Sequence, residues 1–457
     1  MTDKVLDEID RALDESLKRL FALMKIPSIS TDPAYAKECR RAAEWLAKDL
    51  ESMGFSASVR STSGHPVVVG HHDGEGPHVL FYGHYDVQPV DPLNLWDAEP
   101  FAASLRTRAD GTKEIFGRGS ADDKGQLMTF LEACRAYKKV NGRLPCRVTV
   151  MLEGEEESGS PSLKPFLTAN AKELKADVAL VCDTNMLDRQ TPAISTGLRG
   201  LMEEEITIHA ASRDLHSGYY GGAAANPIHI LTKILADFRA ADGSITIPDF
   251  YEGVEETPAD ILKMWDGLGR TTEKVLGEIG LSELAGEKGR TLLELTWARP
   301  TLEVNGITGG YTGEGFKTVI PAEASAKISC RLVHKQDPEK IRANFRKFVE
   351  DRIPADCTVS FINHGGSPAV QLAYDSPILA KTKKALSDEW PNPAVMIAMG
   401  GSIPVVGDFQ NILGMESVLV GFGLADDRIH SPNEKYDLSS FHKGARSWAR
   451  ILAALAA

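Results

Sequence analysis

The chain of 457 residues carries 64 acidic against 51 basic side chains, a formal net charge of −13. That surplus argues against a surface that tracks nucleic-acid phosphates, and no apolar run reaches the length needed to span a membrane. With 42% hydrophobic and 25% charged residues, the composition is that of an ordinary globular protein with room for two or three domains. The six cysteines, Cys39, Cys134, Cys146, Cys182, Cys330 and Cys357, show no C-x-x-C spacing. They read as buried, idle thiols in a reducing cytoplasm rather than as a disulfide framework.

Val5, Ile9, Leu13, Leu17 and Leu20 recur at helical spacing among alternating charges. This predicts an amphipathic helix over about 4–24, not a signal peptide. A second helix over 34–53, closed by Gly54, leads into strand-like FSASVRS, HPVVVGHH and HVLFYG. GRGSADDKG then opens helix GQLMTFLEACRAYKKV, followed by strand RVTVMLE, helix SLKPFLTANAKEL and strand ADVALVCD. Strands alternating with helices predict an α/β fold, a mostly parallel sheet with helices on both faces.

The pattern changes near residue 196. Strand LMEEEITIHA, helix NPIHILTKILADFRA, strands TLEVNGI and EASAKISCRLV, helix DPEKIRANFRKFVEDRI and strand CTVSFINH follow. That β-α-β-β-α-β order predicts a compact α+β domain with a mainly helical insert at about 249–298. After 367 the α/β pattern returns with helix SPILAKTKKALSDEW, strands AVMIAMG and SVLVGFG, and a closing helix. The expected organisation is a catalytic domain in two parts, 1–195 and 367–457, interrupted by a domain at 196–366.

Acidic and histidine side chains gather just after the apolar runs. His84 and Asp86 follow HVLFYG, Asp122 lies in GRGSADDKG, and Glu156 and Glu157 follow VTVMLEGE. Asp183 ends ADVALVC, and His430 follows SVLVGFGLADDRI. Carboxyl ends of strands are where an open α/β sheet builds its site. Asp86 can support His84 as an acceptor, since alternate residues share a side. Three successive glutamates repel one another, and a cation site is the setting that favours them. Glu156 and Glu157 would point opposite ways if extended, so one can bind metal while its neighbour handles protons. Two His and three carboxylates, one left to bridge, suit a pair of divalent cations. His71-His72-Asp73, among glycines, reads instead as an exposed turn. Neither G-x-S-x-G nor H-E-x-x-H occurs, which removes two common hydrolase classes.

Together GHYDVQP, GRGSADDKG, EGEEESGS, GLRG, DLHSGYYGG, GFKTVIP, GGSIP and HSPNEK resemble the dinuclear metallopeptidases of the carnosinase and cytosolic nonspecific dipeptidase kind. Their wider family includes succinyl-diaminopimelate desuccinylase, acetylornithine deacetylase and aminoacylase. The resemblance implies a metal-binding domain interrupted by a lid domain that pairs two subunits. It implies one metal on His84, Asp122 and Asp183 and the other on Asp122, Glu157 and His430, with a cis peptide between Asp122 and Asp123. By the same resemblance Asp86 orients His84, Glu156 is the general base, and His216 is lent to the partner subunit's site. Thr318, Arg331 and Ser402 match substrate-contacting positions, and Glu155 is given no role. Asp rather than Glu at position 183 matches the dipeptidase and aminopeptidase members.

The expected activity is therefore metal-dependent hydrolysis of dipeptides or other short peptides, by a cytoplasmic homodimer holding two divalent ions per subunit. Zinc, manganese and cobalt all suit nitrogen and oxygen ligands. One alternative is an amidohydrolase that deacylates N-acyl amino acids. Another, a non-catalytic binding protein, has no need of the base Glu156 beside its metals.

Overall fold

Each of four apolar runs that end at a candidate ligand becomes an inner strand of one sheet. The computed structural model describes residues 2–400 and 403–457, with Pro404 described by its main chain only. The chain divides into two units, the first comprising Met1–Thr196, Leu372–Met396 and Asp408–Ala457 and the second Gly197–Gln371 with Ile397–Gly407.

The first unit includes β1 (Ser56–Arg60), β2 (Val67–His72), β3 (His78–His84), β4 (Ser104–Thr107), β5 (Lys113–Phe116), β6 (Arg147–Glu153), β7 (Val178–Val181) and the start of β8 (Ala193–Leu198), whose last two residues belong to the second unit. The main sheet runs β1-β2-β6-β3-β7, then Glu416–Leu419, then β8. Its centre, β6, β3, β7 and Glu416–Leu419, is parallel, and antiparallel strands flank it. Covered on both faces, β3 and β7 are buried almost throughout, which is why they read as unbroken apolar runs. On one face Phe81 stacks on Phe130 of helix Lys124–Asn141, with ring centroids 3.9 Å apart. On the other, Tyr82 meets Phe409 edge-on at 5.8 Å. Gly142, at φ +72°, closes helix Lys124–Asn141 in the left-handed conformation that glycine adopts most readily.

The expected helix over 4–24 is two helices, Thr2–Arg11 and Leu13–Met24, parted at Ala12. Likewise SLKPFLTANAKEL splits into Leu163–Ala169 and Ala171–Leu174, where Asn170 leaves the helical region. His71 and His72 are not in a turn; they are the last residues of β2, and His72 is buried. Main-chain pairing to β6 carries the strand through Gly70 to His72. All six cysteines are buried and unpaired, and no described helix is long and apolar enough to cross a membrane.

The second unit contains β9 (Gly200–His209), β10 (Leu215–His216), β11 (Thr301–Gly309), β12 (Val319–Ile320), β13 (Glu323–Leu332) and β14 (Thr358–Ser367). Its antiparallel sheet has the order β11-β13-β9-β14. Alternate residues of β9 and β13, including Met202, Ile206, Ala326, Ile328 and Cys330, face a core shared with helices Pro227–Asp237 and Pro338–Glu350. Helices Ala259–Asp266 and Thr272–Gly277 occupy the insert.

Candidate metal centre

The parallel strands deliver their candidate ligands to one end of the sheet. His84 is the last residue of β3, and Asp183 lies two residues beyond β7. Glu156 and Glu157 begin a short 3-10 turn, Glu156–Ser158, just after β6. They are in a helical turn and not extended, so the opposite-facing argument from strand geometry does not hold here. Gly154 joins β6 to this turn at a close approach to Tyr85, where a Cβ would lie 2.2 Å from the hydroxyl. Asp122 sits two residues before helix Lys124–Asn141, and the Asp122–Asp123 peptide is cis. His430 follows Glu416–Leu419 in a loop and has φ +59°.

Two triads result, His84–Asp122–Asp183 and Asp122–Glu157–His430, each with ligand atoms within 4.8 Å of one another. Asp122 belongs to both. Its Oδ1 lies 3.1 Å from His84 Nε2 and its Oδ2 3.0 Å from His430 Nε2. His84 Nε2 is 3.9 Å from Asp183 Oδ2, and His430 Nε2 is 3.2 Å from Glu157 Oε2. Two imidazoles and three carboxylates, one shared, fit a pair of divalent cations in number and in chemistry.

The electrostatics agree with that fit. Burial works against a charged His84, but hydrogen bonds to Asp122 and Asp86 raise its pKa well above the usual imidazole value. Asp122 and Glu157 pull His430 up to about 10. Burial pushes Glu156 up to about 8; His84 opposes this, while Asp183, Glu157 and Asp122 add to it. Burial likewise lifts Asp183 to about 6. Carboxylates crowded this closely repel, and cations relieve the repulsion.

Asp86 lies behind the first histidine, its Oδ1 3.4 Å from His84 Nδ1. Glu156 belongs to neither triad. In the second unit, His216 and Thr318 are neighbours in space, because β10 pairs with β12 and Ser217 N–H donates to the Thr318 carbonyl at 3.1 Å. Arg331 lines a cavity of about 730 Å³ in that unit, together with Arg199, Arg239 and Glu303. Ser402 lies outside the described residues.

The family model described as Peptidase family M20/M25/M40 matches residues 80–454. The chain belongs to that family. It is 31% identical to the Cys-Gly metallodipeptidase dug1 of Schizosaccharomyces pombe, covering 99% of this chain and 98% of that one. It is 27% identical to human Beta-Ala-His dipeptidase, over 100% of this chain and 93% of the other. Among solved structures, the M20 family metallo-carboxypeptidase Sso-CP2 from Sulfolobus solfataricus superposes with a TM-score of 0.81 at 29% identity, covering 97% and 99% of the two chains. The family resemblance and the α/β fold expected from the sequence are thus borne out.

Several side chains of this M20-family chain support the centre without having been singled out in the sequence. Gln88 Nε2 donates to Glu157 Oε2 at 2.7 Å, and Asp123 Oδ2 accepts the His84 N–H at 3.1 Å. Glu155 is buried and accepts from His65 N at 2.9 Å and Ser162 N at 3.1 Å, fixing both flanks of the glutamate turn. Glu153 accepts from the Tyr82 hydroxyl and from Ser160 Oγ. The glutamate run therefore divides its work: Glu153 and Glu155 face inward as anchors, while Glu156 and Glu157 are presented at the centre. Their position, Glu153 as the last residue of buried β6 and Glu155 two residues beyond it, was the local signal for the anchors.

Proposed function

We propose that this protein is a dipeptidase that hydrolyses the peptide bond of free dipeptides at a two-cation centre. The observation that carries the reading is Asp122 shared between two ligand triads, with Glu156 beside them but in neither. In this reading His84, Asp122 and Asp183 hold one cation, and Asp122, Glu157 and His430 the other. Zinc and manganese both suit these donors, and cobalt is chemically acceptable. When bound, such a pair supplies Lewis acidity and lowers the pKa of water towards neutrality.

Glu156 takes a proton from the attacking water and returns it to the leaving amine nitrogen. Burial is the largest influence raising the pKa of Glu156, and Asp183, Glu157 and Asp122 add to it; neutralising those three charges would bring it down towards the ionised form that a base needs. Asp86 fixes the imidazole of His84 by accepting at Nδ1. Arg331 offers a two-pronged donor to the substrate's terminal carboxylate. Dipeptidases and carboxypeptidases, the activities named for the relatives, both act next to such a carboxylate. Thr318 and Ser402 would contact the substrate.

His216 would come from a second copy of the chain and donate to the carbonyl oxygen as charge builds there, worth about 3 kcal/mol. Supporting this, His216 is exposed beside Tyr219, which is 82% exposed, and Phe316 in the same unit is 91% exposed. Aromatic side chains left this open suit an interface. A homodimer paired through 196–366, with the catalytic parts at 1–195 and 367–457, is the matching organisation. The unpaired thiols favour a reducing compartment such as the cytoplasm. Comparing hydrolysis of free dipeptides with that of N-acyl amino acids tests the reading. A clear preference for the acylated substrates would favour a deacylase instead.

A further inference from the structure

Outside the ligand set, one buried carboxylate ties the ligand loops together. Glu434 is fully buried and follows His430 by four residues in HSPNEK. Its Oε1 accepts the main-chain N–H of Ala121 at 2.9 Å and of Asp122 at 3.1 Å. Its Oε2 accepts from Gly119 N at 2.9 Å and from Arg118 Nη1 at 2.7 Å. The Glu434 carbonyl also accepts Gly117 N–H at 3.0 Å. Arg118, 1% exposed, spends Nη2 on the Pro89 carbonyl at 3.0 Å, in the segment that follows His84 and Asp86.

The chain reaches this arrangement through register. Lys435 pairs with Phe116 at the end of β5, so Glu434 comes to rest against the turn that leads to Asp122. Four donors on one buried carboxylate is a full complement, and none of the four is a metal ligand side chain.

We infer that Glu434 is a positioning residue for the metal centre: with Arg118 it sets where the Asp122 main chain stands relative to His430 and to the loop after His84. Asp122 must face both imidazoles at once, so a small shift of its backbone is felt at both triads. The inference rests on the two-cation reading.

Glu434→Gln keeps the shape but replaces one accepting oxygen with an NH₂ group, which meets either the amides or Arg118 donor to donor. Glu434→Asp keeps the charge but is one methylene too short to serve all four donors. Zinc affinity is measured by competition with a chromophoric chelator, alongside thermal unfolding of the metal-free proteins. Glu132→Gln is the control, since Glu132 is also a buried, multiply bonded carboxylate but pairs with Arg19 and Ser16. Both Glu434 variants are expected to bind zinc about 10- to 100-fold more weakly, while Glu132→Gln loses thermal stability and binds zinc as the wild type does. Equal zinc affinity in the wild type and a folded Glu434 variant would overturn the inference alone. Equal weakening in Glu132→Gln would overturn it too, by showing a general effect of lost stability. A wild-type protein that binds no zinc would overturn the two-cation reading, and this inference with it.

Discussion

Asp86 Oδ2 accepts the main-chain N–H of Glu157 at 3.1 Å, and its other oxygen accepts that of Glu156 at 3.3 Å. The carboxylate that lies behind His84 thus also sets the height of the glutamate turn. This holds Glu157, a candidate ligand, and its neighbour Glu156 in fixed relation, so the two can carry different tasks.

Glu156→Gln keeps the size and the turn but removes the proposed base. Turnover should fall by roughly 10²-fold or more while both cations stay bound, as elemental analysis would show. Glu157→Gln should instead lose a cation. The opposite pattern would mean that the roles of the two neighbours are reversed.

Arg331→Ala should weaken hydrolysis of a free dipeptide by about 10- to 100-fold in kcat/KM. The C-terminal amide of the same dipeptide should lose far less, because it lacks the carboxylate. Equal losses on both substrates would make Arg331 a structural residue of β13.

Cation binding should release protons near neutral pH. His430 titrates at about 10 and His84 well above its usual value in the metal-free chain, whereas ligation needs neutral imidazoles. Affinity should therefore climb as pH rises from 7 towards 10. The folded pKa of His430 lies above its unfolded value of about 6.5. Its contribution to metal-free stability is thus full below about pH 6.5 and is lost as pH rises through about 10. Calorimetry of zinc binding at pH 7 in buffers of different ionisation enthalpy would count the protons. A count of zero would contradict these assignments.

His216 should act across a dimer. Mixing inactive His216→Ala and Glu156→Gln proteins, after verified subunit exchange, should restore part of the activity, because one hybrid site receives both intact residues. No recovery from verified heterodimers would place His216 within its own chain's chemistry or outside the chemistry altogether.

The candidate centre was readable in the sequence because its strands are unusually plain. β3 and β7 are buried on both faces, so each is an apolar run that stops at a His or Asp with no other reason to be there. β4 and β5 were not readable: SLRT and KEIF are short and half polar, and they owe their extended form to pairing with each other and with distant Lys435–Asp437. The break at Ala12 carries no Gly or Pro to announce it. Glu434 and Arg118 lie 316 residues apart in the chain, so no local pattern could connect them. Glu155 was given no role on the family resemblance, yet it bonds His65 N, 90 residues away, and Ser162 N, seven residues on.

The most direct test of the two-cation dipeptidase is to strip the protein with chelator and verify the metal-free state by elemental analysis. Zinc or manganese is then added back stepwise while a free dipeptide is assayed. Activity should be absent at the start and return fully only as about two equivalents per chain are bound, since Asp122 serves both triads. Full activity in the verified metal-free protein would contradict the account.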